Sequence, residues 1–180
     1  MFKKFIHSKF CTLNSRAGFT LAEILVAIGI FGVVISIAVG GFVRALRTQR
    51  QVVALISANS NASLAIEQIA REIRTGINFR TVGGNCGSGE LTFENADKEE
   101  VTYSLNGDSI ERGIFGAAAE TITGQNVSIK YLLFCVAGNF QNDGYPPRIT
   151  ISLGVSPKAP GVENNVTNIE TTISAREIDT

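Results

Sequence analysis

The chain has 180 residues, with 16 basic and 16 acidic side chains, a single histidine (His7), three cysteines and no tryptophan. One histidine leaves little room for the commonest general base or metal ligand, so catalytic and metal-centred readings weaken. The charge balance hides an asymmetry: residues 76–180 carry 7 basic and 13 acidic residues, which argues against direct nucleic-acid binding by that part.

Residues 1–18 form a basic leader. Lys3, Lys4, Lys9 and Arg16 stand there with no acid, beside His7 and Cys11. Residues 24–43 follow without a charge, and an α-helix of that length rises about 30 Å, the thickness of a bilayer core. A secretory signal has its cleavage site on the far side of the apolar region. Here the candidate site, Gly18-Phe19, precedes it, so cleavage leaves the apolar helix on the mature chain as an anchor. Loss of the leader takes 4 of the 16 basic residues and the only histidine, leaving 12 basic against 16 acidic. Glu23 is the one charge inside the apolar segment. A carboxylate in hydrocarbon costs about 2.5–3.5 kcal/mol on insertion scales, so it calls for a partner or a purpose.

Gly18-Phe19-Thr20-Leu21-Ala22-Glu23 resembles the processing site of type IV prepilins and type II secretion pseudopilins. The resemblance implies a pilin fold, cleavage by a prepilin peptidase after Gly18, and N-methylation of the new terminus at Phe19. It further implies assembly through Glu23, with other pilin or pseudopilin subunits and an inner-membrane assembly platform as partners. The lipid bilayer would hold the helix before assembly. The location implied is a single-pass cytoplasmic membrane protein with an extracytoplasmic C-terminal domain, then a pilus or pseudopilus. No catalytic residue, cofactor or metal follows from it.

Beyond the span, Arg44, Arg47 and Arg50 recur every three residues and share an arc of about 120° on a helix. They suit phospholipid headgroups or acidic neighbours, and they blur the positive-inside signal, so orientation rests on the processing site. Helical periodicity continues through Val52, Ile56, Ala62, Ile66, Ile69, Ile73 and Ile77, with Glu67 and Arg71 at i,i+4 and Gly76 as a stop. The spacing predicts one helix over residues 19–75. Gly40-Gly41 weakens it by about 1 kcal/mol per glycine, either as a local melting point or as ordinary small-residue packing. The expected organisation is a leader at 1–18, an assembly helix at 19–43, an amphipathic helix at 44–75 and an antiparallel sheet domain at 76–180.

After Gly76 the pattern alternates. Strands are expected at residues 91–93, 101–105, 109–112, 127–136, 148–155 and 169–178, forming a sheet of five or six mostly antiparallel members on which the helix closes one face. The class is α+β. Cys86 sits in a glycine-rich loop, and Cys86 with Cys135 either forms a disulfide outside the membrane or remains two buried thiols. Residues 138–147, with Phe140 and Tyr145, read as an exposed variable loop.

Residues 64–74, followed by Ile122-Thr123 and the strand at 127–134, are similar to W-type minor pilins and J-type pseudopilins. Glu23 separates the chain from K-type subunits, which usually lack it, and a major pilin is an alternative. A different class of function is a membrane-anchored binding module that never polymerises, contacting a ligand through residues 140–145. An anchored hydrolase is disfavoured by the missing histidine and the absence of a GxSxG motif.

Overall fold

A computed structural model describes residues 18–138 and 145–176. The chain divides into two units after Ala45, and each is taken alone. A single helix, α1 (Leu21–Ile73), crosses that division. Among the described residues nine strands follow: β1 (Ile77–Thr81), β2 (Cys86–Ser88), β3 (Glu90–Glu94), β4 (Glu100–Asn106), β5 (Ser109–Ile114), β6 (Glu120–Thr121), β7 (Val127–Ala137), β8 (Arg148–Pro157) and β9 (Thr167–Ser174). The fold is α+β, an N-terminal helix on antiparallel sheet, consistent with a pilin fold.

One sheet was expected, and two are present. Their orders are β1-β3-β4-β5-β6 and β2-β7-β8-β9, with every pairing antiparallel. β1, β2 and β6 were missed because each is short or rich in glycine and polar residues, so alternation has no room to show. The last strand ends at Ser174, four residues before the expected end. Beyond it, Ala175 and Arg176 donate their backbone N–H groups to the carbonyls of Pro147 and Arg74, so they are used outside the ladder.

Within the second unit α1 buries Ala58, Ala62, Ala65, Ile69 and Ile73, a stripe of helical period facing the core. The expected stripe began with Val52 and Ile56, but these are 46% and 60% exposed. Ala62, Ile69 and Ile73 of the expected stripe are buried, and Ala58 and Ala65 join them, small side chains that let sheet and helix backbones approach closely. Ile77, expected on the helix, opens β1 instead. The helix ends at Ile73, two residues before the expected end, and glycine at 76 is required by packing, since a Cβ there would lie 2.5 Å from Cδ2 of Phe93. Its last turn tightens through i,i+3 bonds from Thr75 N to Glu72 O and Gly76 N to Ile73 O.

Both sheets feed one core. Phe79, Phe93 and Tyr103 from the first sheet join Ile129, Phe134, Ile149, Ile151 and Leu153 from the second against Ile69 and Ile73. Phe93 stands centrally, its ring 5.3 Å from Phe79 and 6.1 Å from Tyr103 between centroids. Each large apolar side chain so buried contributes about 1.5–3 kcal/mol.

Candidate functional site

The first described residues lead straight into the helix. Gly18 and Phe19 are exposed, Phe19 at 78%, and among the described residues beyond its chain neighbours no atom comes within 4 Å of where a Cβ on Gly18 would sit. Thr20 is the N-cap of α1. Its Oγ1 accepts from the Glu23 N–H at 3.2 Å, and its carbonyl accepts from Glu23 and Ile24 at 3.1 and 3.2 Å. Thr20 and Glu23 thus have the Thr-x-x-Glu spacing of a capping box. That signal was present in the sequence and was overlooked, because Glu23 was weighed only as a charge in an apolar run.

Glu23 lies in the first turn, where a negative charge meets the positive end of the helix dipole. Among the described residues its carboxylate makes no hydrogen bond or ion pair. The Thr20 hydroxyl caps the Glu23 amide, and among the described residues the carboxylate does not make the return bond to the N-cap N–H that would complete the box.

From there α1 is apolar and uncovered. Its most apolar window has a mean hydropathy of 2.6 and no buried residue, long and apolar enough to cross a membrane. Exposed Ile24, Leu25, Ile28, Phe31, Val34 and Ile37 make a contiguous apolar surface of the kind that marks a membrane or protein contact. Over residues 21–43 the one hydroxyl, Ser36 Oγ, donates to the Gly32 carbonyl at 2.8 Å within the helix. The helix runs through Gly40 and Gly41 without a break.

Residues 13–39 match the family described as the prokaryotic N-terminal methylation motif. The motif supports a type IV pilin-like precursor processed by prepilin peptidase. It spans Gly18, Phe19 and Glu23 and the first part of the apolar helix, and such precursors give structural rather than enzymatic subunits that assemble with other pilins. No curated protein and no solved structure matches the chain.

The remaining candidate residues fall in the second unit. Cys86 and Cys135 are joined by a disulfide, and Cys86 lies in strand β2 rather than in a loop. The two are direct cross-strand partners on β2 and β7, and Val136 N–H donates to the Asn85 carbonyl beside them at 2.6 Å. Arg47 and Arg50 line a cleft of about 380 Å³ with Gln51, Ala159 and Pro160. A second cleft, about 330 Å³, is lined by Asp108, Lys130, Lys158 and Glu163 among others. There Lys158 Nζ lies 2.7 Å from Asp108 Oδ2, a hydrogen bond that holds the Asp108 carboxyl below its usual range. Among the described residues no cluster of His, Cys, Asp or Glu is suited to a metal. Phe140 lies outside the described residues, as do His7 and Cys11.

Sequence reasoning also missed two polar links between α1 and the sheets. Asn61 Oδ1 accepts from Gly124 N–H at 2.8 Å, Asn61 Nδ2 donates to Asn126 Oδ1 at 3.2 Å, and Asn126 Nδ2 donates to Ser57 Oγ at 2.7 Å. Arg112 Nε donates to both carboxylate oxygens of Glu72 at 2.9 and 3.2 Å. These pairs are many residues apart in sequence, and no local pattern announces them.

Proposed function

We propose that this chain is a minor pilin or pseudopilin, of the W or J type, a non-enzymatic subunit of a type IV pilus or type II secretion-like filament. One observation carries the reading: an exposed Gly18-Phe19 stands immediately before the capped N-terminal stretch of α1, which is exposed, apolar and long enough to cross a membrane. Cleavage there keeps the hydrophobic helix, so the mature chain is built to exchange one apolar environment, the bilayer, for another, the packed helices of a filament.

Prepilin peptidase cuts after Gly18 and methylates Phe19. The leader, residues 1–18, lies in the cytoplasm, the assembly helix at 19–43 crosses the membrane, and residues 44–180 lie outside the cytoplasm, where a Cys86–Cys135 bridge persists. Glu23 then meets the amino terminus of a neighbouring subunit's Phe19. Two opposite charges that each oppose burial alone offset that cost together, so the pair selects the register of assembly. An inner-membrane platform driven by a separate ATPase supplies the work, since the chain has no phosphate-binding loop.

Intact-mass measurement of the protein extracted from its native membranes tests the reading. The expected mass is that of residues 19–180 with a methylated terminus. A chain beginning at Met1 in cells with active prepilin peptidase would overturn it.

A further inference from the structure

Among the described residues the two sheets leave four edges, and three of them are blunted. β6 is Glu120–Thr121, β2 is Cys86–Ser88, and the register of β1 is broken between Ile77 and Arg80. Short or irregular edges are how proteins avoid unintended strand pairing. β9 is built otherwise. Its register with β8 runs from Val155–Thr167 to Arg148–Ser174 without a shift. It contains no proline, lysine, arginine or glycine, and Glu170 is its one charge. Among the described residues no backbone hydrogen bond outside the β8 ladder involves residues 167–174.

The side chains of β9 say what such an edge accepts. Ile169 and Ile173 belong to the core side, with Thr167 and Thr171 in the same alternation, while Asn168, Glu170, Thr172 and Ser174 are exposed on the other face. In an antiparallel pair, residues directly opposite share a face. A second copy of β9 centred on Thr171 places Ile169 opposite Ile173, Glu170 opposite Thr172 and Asn168 opposite Ser174, each twice by symmetry. Apolar meets apolar, and the carboxylate meets a hydroxyl. Centring one residue earlier opposes Glu170 to Glu170, which is unfavourable. Centring one residue later shortens the overlap.

We propose that β9 is a self-docking edge, at which two copies of this chain pair antiparallel with Thr171 opposite Thr171. The two four-stranded sheets become one continuous sheet, and the outward N–H and C=O groups of β9 find partners. The inference rests on β9 alone and holds whether or not the chain enters a filament.

Full-length chain in detergent, with Cys11→Ser so that the introduced thiol is the free one, provides the test. Thr171→Cys should give a dimer with a short bis-maleimide crosslinker. Ser174→Cys, exposed on the same strand but far from its symmetry mate in this register, should not. In sedimentation experiments Thr172→Glu, which opposes two carboxylates twice, should weaken self-association about two- to thirty-fold. Adding Glu170→Lys to it should restore the dimer, and an intact Cys86–Cys135 bridge verifies the fold of each variant. The proposal is overturned by a monomeric Thr171→Cys, by equal crosslinking of Ser174→Cys, by no response to the charge reversal, or by a Thr171→Cys adduct to a chain of different mass.

Discussion

Arg112 on β5 grips Glu72 on α1 through Nε, at 2.9 and 3.2 Å from the two carboxylate oxygens, with side chains only 17% and 24% exposed. Burial by itself works against the charge on Arg112, but the hydrogen bond and charge of Glu72 more than offset it and hold the guanidinium protonated. The pair ties the last turns of the helix to the first sheet. The exposed pairs Arg71–Glu67 and Arg80–Glu100 are of the kind worth little. Glu72→Gln or Arg112→Met should therefore cost about 1.5–3 kcal/mol of stability, as loss of a charged hydrogen bond does. Arg71→Met should cost under about 1 kcal/mol. Urea midpoints at fixed slope measure the difference, and equal effects would contradict the account.

Tyr103, the cross-strand partner of Arg112, is buried, and among the described residues its hydroxyl has no hydrogen-bond partner. Burial, then the charge of Glu72, push its pKa well above the ordinary tyrosine value. Glu72 and Arg112 act on it through their charges, since neither meets the hydroxyl in hydrogen-bond geometry. Because the folded-state pKa is raised, the unfolded chain loses this proton first. Stability is unaffected below the unfolded pKa of about 10 and falls as pH rises beyond it. Tyr103→Phe should abolish that alkaline component and leave neutral-pH stability unchanged or raised by about 1 kcal/mol. Thermal unfolding across alkaline pH, wild type against variant, tests both halves.

The alanine stripe makes a second kind of forecast. Ala62 is fully buried while Ile56 is 60% exposed, an inversion of the order their hydrophobicity suggests. Ala62→Leu should overpack the helix against the sheet and cost about 1–3 kcal/mol. Ile56→Ala, at an exposed site, should change stability by less than about 0.5 kcal/mol. A large loss for Ile56→Ala in the isolated chain would mean the helix face is assigned wrongly.

Cys86 and Cys135 close a loop across β2 and β7, and β2 has little else to hold it. Replacing both with serine should cost about 2–5 kcal/mol. The loss should be confined to this edge in hydrogen-exchange maps, with β7 and β8 remaining protected by their long ladder. Uniform loss of protection across the second sheet would show that the bridge supports more than β2.

Glu23 is expected to serve assembly rather than folding. Its carboxylate has no partner among the described residues, and the cap at Thr20 uses the Glu23 amide, which survives substitution. Glu23→Gln should be processed and inserted normally yet enter sheared filament fractions poorly. Normal incorporation at normal membrane levels would remove charge pairing from the mechanism.

What could be read without coordinates was whatever depends on neighbours along the chain. The apolar run, the Gly18-Phe19 junction, the helix end close to Gly76 and the longer strands, such as β7 and β8, follow from composition and period, because hydrophobic periodicity is a local property. The N-cap at Thr20, with its Thr-x-x-Glu spacing, was equally local and could have been read. Tertiary structure decided the rest. That Ala58 and Ala65 face the core while Val52 and Ile56 do not depends on how closely a helix can approach a sheet, which side-chain volume permits and no periodicity specifies. The split into two sheets, the free edge of β9 and the pairing of Glu72 with Arg112 depend on contacts between residues distant in sequence, whose geometry exists only once the chain has folded.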